Sequence, residues 1–270
     1  MHHKFSEQQI QYIVDRAQHD FRQDIATNLN LTVKQVEYLA KLHHIPLLHK
    51  PKGQYQRKYK YTFNHHYFDT IDTPNKAYIV GFIFADGNIY LKDGKYRLTI
   101  GLSQKDKCVL DFINLELGGN LPIIKKQVSS KYHSCWFTID SKHMITALVN
   151  VGIKPRKTYL TTIPTIPKRF RKYFLLGVFD GDGCVATYTR TRGKYFCRDY
   201  KWHIVAKQYL TLDKLRNYCS MQQYGNIIKS NSWHVWYVCS RKKILEIYHL
   251  LYDGKCWSLN RKKKIFEEMM

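Results

Sequence analysis

Residues 174–185 read FLLGVFDGDGCV, and residues 78–89 read YIVGFIFADGNI. Each is an apolar run with a glycine at its centre, closed by acidic residues and a further glycine. Gly81 and Gly177 hold the same place in the two runs, 96 residues apart. Read as helices, both runs break two rules. A mid-helix glycine costs about 1 kcal/mol relative to alanine, and a carboxylate at a helix C-terminus meets the negative end of the macrodipole. One arrangement accounts for both: the helices pack on each other at glycine, backbone to backbone, and bring their terminal carboxylates together.

Carboxylates held that close repel one another unless a divalent cation sits between them. Magnesium, a hard ion that takes oxygen ligands, suits both the carboxylates and a phosphate. Bound there, it would activate water and stabilise the leaving oxygen of a phosphodiester. The expected cofactor is Mg2+, with two or more divalent ions.

The segments C-terminal to the two runs also repeat. After the first, NIYLKDGKYRLTIGL alternates apolar and polar residues around Asp93-Gly94, a favoured two-residue hairpin turn. A helical DKCVLDFINLEL, a strand pair near 122–128 and 132–139, and a helical SKHMITALVNVGI come next. After the second, CVATYTR and YKWHIVA flank a turn at Arg192-Gly193. Helical LTLDKLRNYC, strands near 226–230 and 233–239, and helical RKKILEIYHLLY complete the copy. Thr73-Pro74 starts the first motif helix, with Pro167 placed similarly before the second. The expected fold is α+β, with two pseudo-symmetric αββαββα repeats at 69–160 and 161–270.

Ahead of the repeats, residues 1–45 read as a small all-α domain. Ser6 caps a helix running to about Gln18, and a second begins near Phe21. IATNLNLTVKQVEYLAKL then reads as helix, tight turn, helix, with Ala26 at a close crossing, Asn30 in the turn and Thr32 as cap. Val36 and Leu39 face the core. The pattern resembles a helix-turn-helix, whose second helix enters the major groove, and Thr32, Lys34, Gln35 and Tyr38 would point outward to DNA. The alternative is a small helical bundle with a polar outer face. Residues 46–68 contain no acidic residue and read as a basic linker, able to track phosphates or simply solvated.

Composition narrows the partner. Lysine plus arginine total 44 against 21 acidic residues, for a net charge of +23, with 21 tyrosines among them. Such an imbalance costs self-repulsion and points to a polyanion, first of all nucleic acid. No stretch approaches eighteen consecutive apolar residues, which excludes a membrane-spanning helix. Seven scattered cysteines without a C-x-x-C pair argue against a zinc site, and their odd number against a closed disulfide framework. With no apolar h-region at the N-terminus, the chain is expected to be intracellular.

The stretches IVGFIFADG (79–87) and LLGVFDGDG (175–183) resemble the LAGLIDADG motif of homing endonucleases. FDTIDTPNKAYIVGFIFADG and GIKPRKTYLTTIP are similar to single-chain, two-motif members found in phage and bacterial introns or inteins. The resemblance covers about residues 68–270. It implies antiparallel saddle-shaped sheets, and metal ligation by the last acidic residue of each motif, Asp86 and Asp182. Asp180, whose counterpart is Phe84, is then structural. It further implies that Gln104 and Lys142 orient water around the metals. The matching places of the second half are Ala206 or Lys207, and Arg241 or Lys242.

It also implies that the two sheets read successive major grooves. Alternation sets Ile89, Leu91, Leu98, Ile100 and Leu102 inward. Asn88, Tyr90, Lys92, Arg97 and Thr99 then face out, joined by Lys125 and Lys126, and by Arg190, Arg192, Arg198 and Lys201 in the second half. The C-terminal NRKKKIF is either a phosphate clamp or the basic start of a helix. The function implied is site-specific double-strand cleavage of a long asymmetric DNA target by a monomer with no obligate protein partner, leaving short 3′ overhangs. Alternatives on the same fold are an RNA maturase acting on host intron RNA and a non-catalytic DNA-binding regulator.

Overall fold

Residues 5–48, 61–130, 132–155, 161–193 and 195–270 are described in a computed structural model. The chain divides into two compact units, residues 1–60 and 61–270.

The first unit holds α1 (Glu7–Arg16), α2 (Arg22–Asn28) and α3 (Val33–Leu42). Ser6 and Thr32 each accept from the backbone three residues on, while Gln9 and Gln35 reach back to the cap, so both helices open on a capping box. Asn30 takes the left-handed conformation (φ 52°) that ends α2 and turns the chain into α3. Ile13, Ile25, Ala26, Val36, Leu39 and Ala40 form its core. Leu48 donates its N–H to the Ala17 carbonyl, so the unit's packing reaches past residue 45. Of the linker expected at 46–68, residues 49–60 lie outside the described residues. Residues 61–68 belong to the second unit, where Tyr67 and Phe68 are buried core. Tyr61 and Phe63 pack against the same core, and the basic residues ahead of them hid this anchoring from a composition reading.

In the second unit the first repeat runs α4 (Pro74–Asp86), β1 (Gly87–Lys92), β2 (Lys95–Ser103), α5 (Lys107–Glu116), β3 (Ile124–Gln127), β4 (His133–Asp140) and α6 (Lys142–Val151). The second runs α7 (Arg171–Asp182), β5 (Gly183–Arg192), β6 (Tyr195–Ala206), α8 (Tyr209–Tyr218), β7 (Asn226–Ser230), β8 (Trp233–Val238) and α9 (Arg241–Tyr252), followed by α10 (Asn260–Glu267). The sheets have matching antiparallel orders, β1-β2-β4-β3 and β5-β6-β8-β7. Thr73 caps α4 with Pro74 at its first position. Pro167 instead starts a short 3-10 turn, and α7 begins only at Arg171.

α4 and α7 are buried against each other along most of their length. A Cβ on Gly81 would lie 2.0 Å from the Phe174 carbonyl oxygen, and one on Gly177 would lie 2.0 Å from that of Tyr78. No side chain fits in either place, so the helices meet backbone to backbone. The contact is pseudo-symmetric one turn out on each side. Tyr78 faces Asp180 through a 2.9 Å hydrogen bond, and Phe174 faces Phe84 with ring centroids 5.7 Å apart. The same two positions carry a polar pair on one side of the axis and an aromatic pair on the other.

The sheets pack on this helical layer through alternating residues. Leu98, Ile100, Phe137 and Ile139 fill the first core, and Trp202, Trp236 and Phe179 the second, with Phe179 and Trp202 stacked at 5.4 Å. Leu91, expected inside, is 43% exposed because β1 runs beyond the helices toward its hairpin. The second hairpin overruns the core further, pairing as far as Arg192 with Tyr195 and closing at Gly193, one residue later than expected.

Gly177→Ala is expected to destabilise the second unit by about 3 kcal/mol or more, since backbone must move to admit the methyl. Gly101→Ala, whose methyl would meet only Trp136 Cβ at 3.7 Å, is expected to be neutral or to stabilise by up to about 1 kcal/mol. Urea unfolding midpoints measure both.

Candidate functional site

α4 and α7 run straight into β1 and β5, because Gly87 and Gly183 leave the helices in extended conformation. Asp86 and Asp182 are therefore the last helical residues, each poised where a helix becomes an edge of a sheet. Asp182 is exposed and Asp86 half-buried. Gly181 makes their approach possible. A Cβ there would lie 2.4 Å from the Ala85 methyl and 3.1 Å from an Asp86 carboxylate oxygen. The Asp86 carboxylate thus lies against the last turn of α7, next to Asp182 in sequence.

Concavities flank the two carboxylates. Asp86 borders a 550 Å³ groove lined by Thr99, Ser103, Asp106, Ser134 and Trp136. Asp182 borders a smaller one of 160 Å³ with Phe84, Lys207, Thr211 and Trp233.

Strand register locates the other expected site residues. Gly87 pairs with Ile100 thirteen residues on, and Gly183 with Ile204 twenty-one residues on. Gln104, exposed just after β2, stands four residues past Ile100, at the Asp86 end of the sheet. Its counterpart four past Ile204 is Gln208, not Ala206 or Lys207. Lys207 is the counterpart of Ser103. The longer second hairpin is what shifts the alignment. Lys142 is at the opposite end of the sheet. Ser141 donates its N–H to the Tyr96 carbonyl, and the Lys142 ammonium sits 5.8 Å from the Tyr96 ring centre, beyond the Arg97–Asp140 pair. The resemblance had brought it to the carboxylates; the antiparallel course of β4 takes it away from them. Arg241 likewise serves the C-terminus, donating to the Met269 carbonyl at 2.8 Å, while Lys242 is exposed.

Sequence reasoning missed the support beneath this centre. Lys262, in the first turn of α10, is 4% exposed. Its ammonium donates to the carbonyls of Phe179 (2.8 Å), Asp180 (2.8 Å) and Gly183 (2.6 Å). These belong to the end of α7, where helix carbonyls lack internal partners and a cation offsets the dipole. Beside it, Arg261 makes a two-pronged pair with Asp106 at 2.5 and 2.7 Å. NRKKKIF is therefore a helix start whose exposed arginine pairs with Asp106 and whose buried lysine is committed to backbone carbonyls. The signal was only a basic run, which looks the same whether it faces phosphate or carbonyls.

Asp180 is 3% exposed and structural in its contacts: Oδ2 accepts from Tyr78 Oη and, at 2.8 Å, from the Leu259 N–H. Burial pushes its pKa up to about 6, against the pull of Lys262. Burial likewise pushes the Lys262 ammonium down.

The outer faces of the sheets are the remaining candidate surface. Asn88 and Tyr90 share one face with Thr99 and Arg97, and Lys92 follows on it, as expected. Arg97 is tied two-pronged to Asp140 at 2.7 and 2.8 Å, and Arg190 is paired with Asp199. Lys126 is on the outer face opposite Ser134. Lys125 pairs with buried Cys135 and so projects on the helix side. Arg190 and Lys201 are on the outer face of the second sheet. Arg198 alternates to the other face, opposite Thr189. The side chain of Arg192 lies outside the described residues. Trp136 and Thr138, outward beside Gly101 and Thr99, join this surface without having been expected there. In the first unit Lys34 and Tyr38 are exposed, the latter at 59%, whereas Thr32 and Gln35 hydrogen-bond each other in the capping box.

A single chain carrying two such αββαββα repeats, joined at a glycine contact with a carboxylate at each helix end, defines a class of architecture. Solved structures of the same architecture are LAGLIDADG meganucleases. Meganuclease I-SmaMI bound to uncleaveable DNA matches with a TM-score of 0.54 at 16% identity, over 73% of this chain and 87% of that one. I-AabMI bound to uncleaved DNA matches with a TM-score of 0.52 at 12% identity, over 73% and 88%. I-SmaMI with an uncleaved DNA target and calcium ions gives 0.51 at 16%, over 69% and 86%. The chain has the LAGLIDADG meganuclease fold. No family model and no curated protein matches its sequence.

Because Asp180 carries a raised pKa when folded, it favours the folded state most below the unfolded value of 3.8. That contribution is lost as pH rises through about 6. The Asp180→Asn variant is therefore expected to lose stability less steeply than wild type between about pH 4 and 6. Parallel denaturant titrations across that window measure the difference; coincident slopes would place the ionisation elsewhere.

Proposed function

We propose that the protein is a site-specific endonuclease that binds a long asymmetric double-stranded DNA target as a monomer and hydrolyses both strands with divalent metal. The single observation that carries this reading is the pair of carboxylates, Asp86 and Asp182, at the ends of two helices in backbone contact, with Gly181 leaving room for the Asp86 carboxylate. The donor set fits a hard divalent ion such as Mg2+: carboxylate oxygens, with the glutamines Gln104 and Gln208 at matching register positions of the two repeats. Bound between Asp86 and Asp182, such ions would supply charge neutralisation for a phosphodiester and an activated water.

The chain's own residues do the rest. Lys262 fixes the carbonyl end of α7 and so sets where Asp182 points. Lys207, in the groove beside Asp182, offers a cation to a phosphate on that side. Ser103 holds the matching place on the Asp86 side and offers a hydroxyl instead. Two strands therefore meet two different environments, which supports unequal cleavage rates. Tyr90, Lys92, Lys126, Lys201 and Trp136 supply charge and aromatic surface for grooves and backbone, and Lys34 and Tyr38 extend the footprint as a helix-turn-helix would. The chain's net charge of +23 supports the polyanionic partner.

Selection of cleaved sites from a random DNA library with magnesium tests the proposal. Asp182→Asn and Asp86→Asn are each expected to lower cleavage by about 1,000-fold or more, equivalent to about 4 kcal/mol of barrier, with binding retained in gel shifts. Lys142→Ala is expected to cleave like wild type, and Lys207→Ala to slow one strand more than the other. Tight specific binding with no cut on any site would mark a regulator instead. Stimulated splicing of an intron RNA that survives Asp182→Asn would mark a maturase.

A further inference from the structure

A second cluster of metal-ligating groups is found in the same unit, away from Asp86 and Asp182. The turn at 64–69 and the first turn of α6 bring His66, Asp69 and His143 together although the last is 74 residues from Asp69 in sequence. His66 Nδ1 is 2.8 Å from Asp69 Oδ2, and His143 Nε2 is 2.6 Å from Asp69 Oδ1. The two imidazole centroids are 4.1 Å apart, and one ligand atom from each of the three residues is within 4.8 Å of the others. Among the described residues this is the one group of three such donors.

The backbone around it is fixed in advance. Asn64 Oδ1 accepts from the His66 N–H at 2.9 Å, and the Asp69 N–H donates to the His66 carbonyl at 3.1 Å. His65 Nδ1 lies 2.8 Å from the hydroxyl of Ser141, the residue that caps α6 two positions before His143. Turn and helix are thus already clamped, so little order must be gained on binding. Tyr67 and Phe68, between the ligands, anchor the turn in the core.

We propose that His66, Asp69 and His143 bind a zinc-class transition-metal ion, holding the turn at 64–69 to the start of α6. Two imidazole nitrogens and one carboxylate oxygen form a donor set suited to Zn2+, Co2+, Ni2+ or Cu2+ and poorly matched to Mg2+, which takes oxygen. Three protein ligands leave the fourth tetrahedral position to water. Metal–ligand distances near 2.0–2.2 Å put ligand atoms about 3.3 Å apart around a tetrahedral ion. The two His–Asp69 contacts, made to opposite carboxylate oxygens, must therefore open by roughly 0.5–0.7 Å while the ligand atoms, within 4.8 Å of one another, turn toward a common point, a rearrangement open to three exposed side chains.

The test uses the full-length protein with Zn2+ by calorimetry and Co2+ by visible absorption. Expected are one ion bound with micromolar or tighter affinity and a tetrahedral Co2+ spectrum without thiolate charge-transfer bands. Zn2+ should also raise Tm. His66→Ala and His143→Ala should each weaken binding at least tenfold and abolish the Tm rise, with circular dichroism unchanged. Asp86→Asn/Asp182→Asn should bind Zn2+ like wild type, and excess Mg2+ should not displace it. Wild type that binds no ion at micromolar concentrations overturns the proposal. So does binding unaffected by both histidine variants, or binding that instead follows His43→Ala or the exposed Cys239→Ser. None of these outcomes depends on whether the protein cuts DNA.

Discussion

Everything in the larger unit is arranged around the place where α4 and α7 touch without side chains. With 2.0 Å between a would-be methyl and the facing carbonyl, Gly81 and Gly177 are the positions at which two buried helices come closest. That approach fixes three things at once. It makes the repeats into one body with a continuous core, it aligns the two sheets about a common axis, and it carries both helix C-termini to one point. A larger residue at either glycine would push the termini apart and separate Asp86 from Asp182. The cost of glycine in a helix is thus offset by packing that no other residue permits.

The symmetry is in the backbone and is broken in the side chains. Tyr78 with Asp180 on one side, and Phe174 with Phe84 on the other, fill equivalent space by different chemistry. The polar side needs more support: a buried carboxylate is costly unless hydrogen-bonded and paired. The Leu259 N–H and Lys262 provide that support, one from the N-cap and the other from the first turn of α10. Among the described residues, no matching helix follows α6 within the first repeat. The segment that supports Asp180 also brings Lys262 to the carbonyls of Phe179, Asp180 and Gly183 and Arg261 to Asp106. The asymmetry continues into the centre, where Ser103 and Lys207 hold matching positions beside unlike grooves.

Much of the fold was legible in the sequence, and the reasons are specific. Repeated apolar runs with glycine at a fixed place identified α4 and α7, period-two alternation identified the strands, and Ser6, Thr32, Thr73 and Asn30 marked helix starts and a turn. Asp86 and Asp182 stood out because a helix C-terminus normally rejects carboxylate. Side chains that depend on register were less legible. Eight extra residues in the second hairpin moved the counterpart of Gln104 to Gln208, and strand parity sent Lys125 and Arg198 to the helix side. Lys142 follows a strand whose direction takes it away from the carboxylates.

The sequence by itself determined the repeat, the order of elements and the two acidic helix ends, since each follows from local periodicity and from residues whose backbone preferences are strong. Only the tertiary structure decided what the basic residues do. Lys262 caps a buried helix, Arg261 and Arg97 are spent on carboxylates, and Lys207 is left beside Asp182. Charge has no periodicity to read. Whether a lysine meets a carbonyl, a carboxylate or solvent is settled by contacts between segments as distant as 180 and 262, and those exist only once the chain is folded.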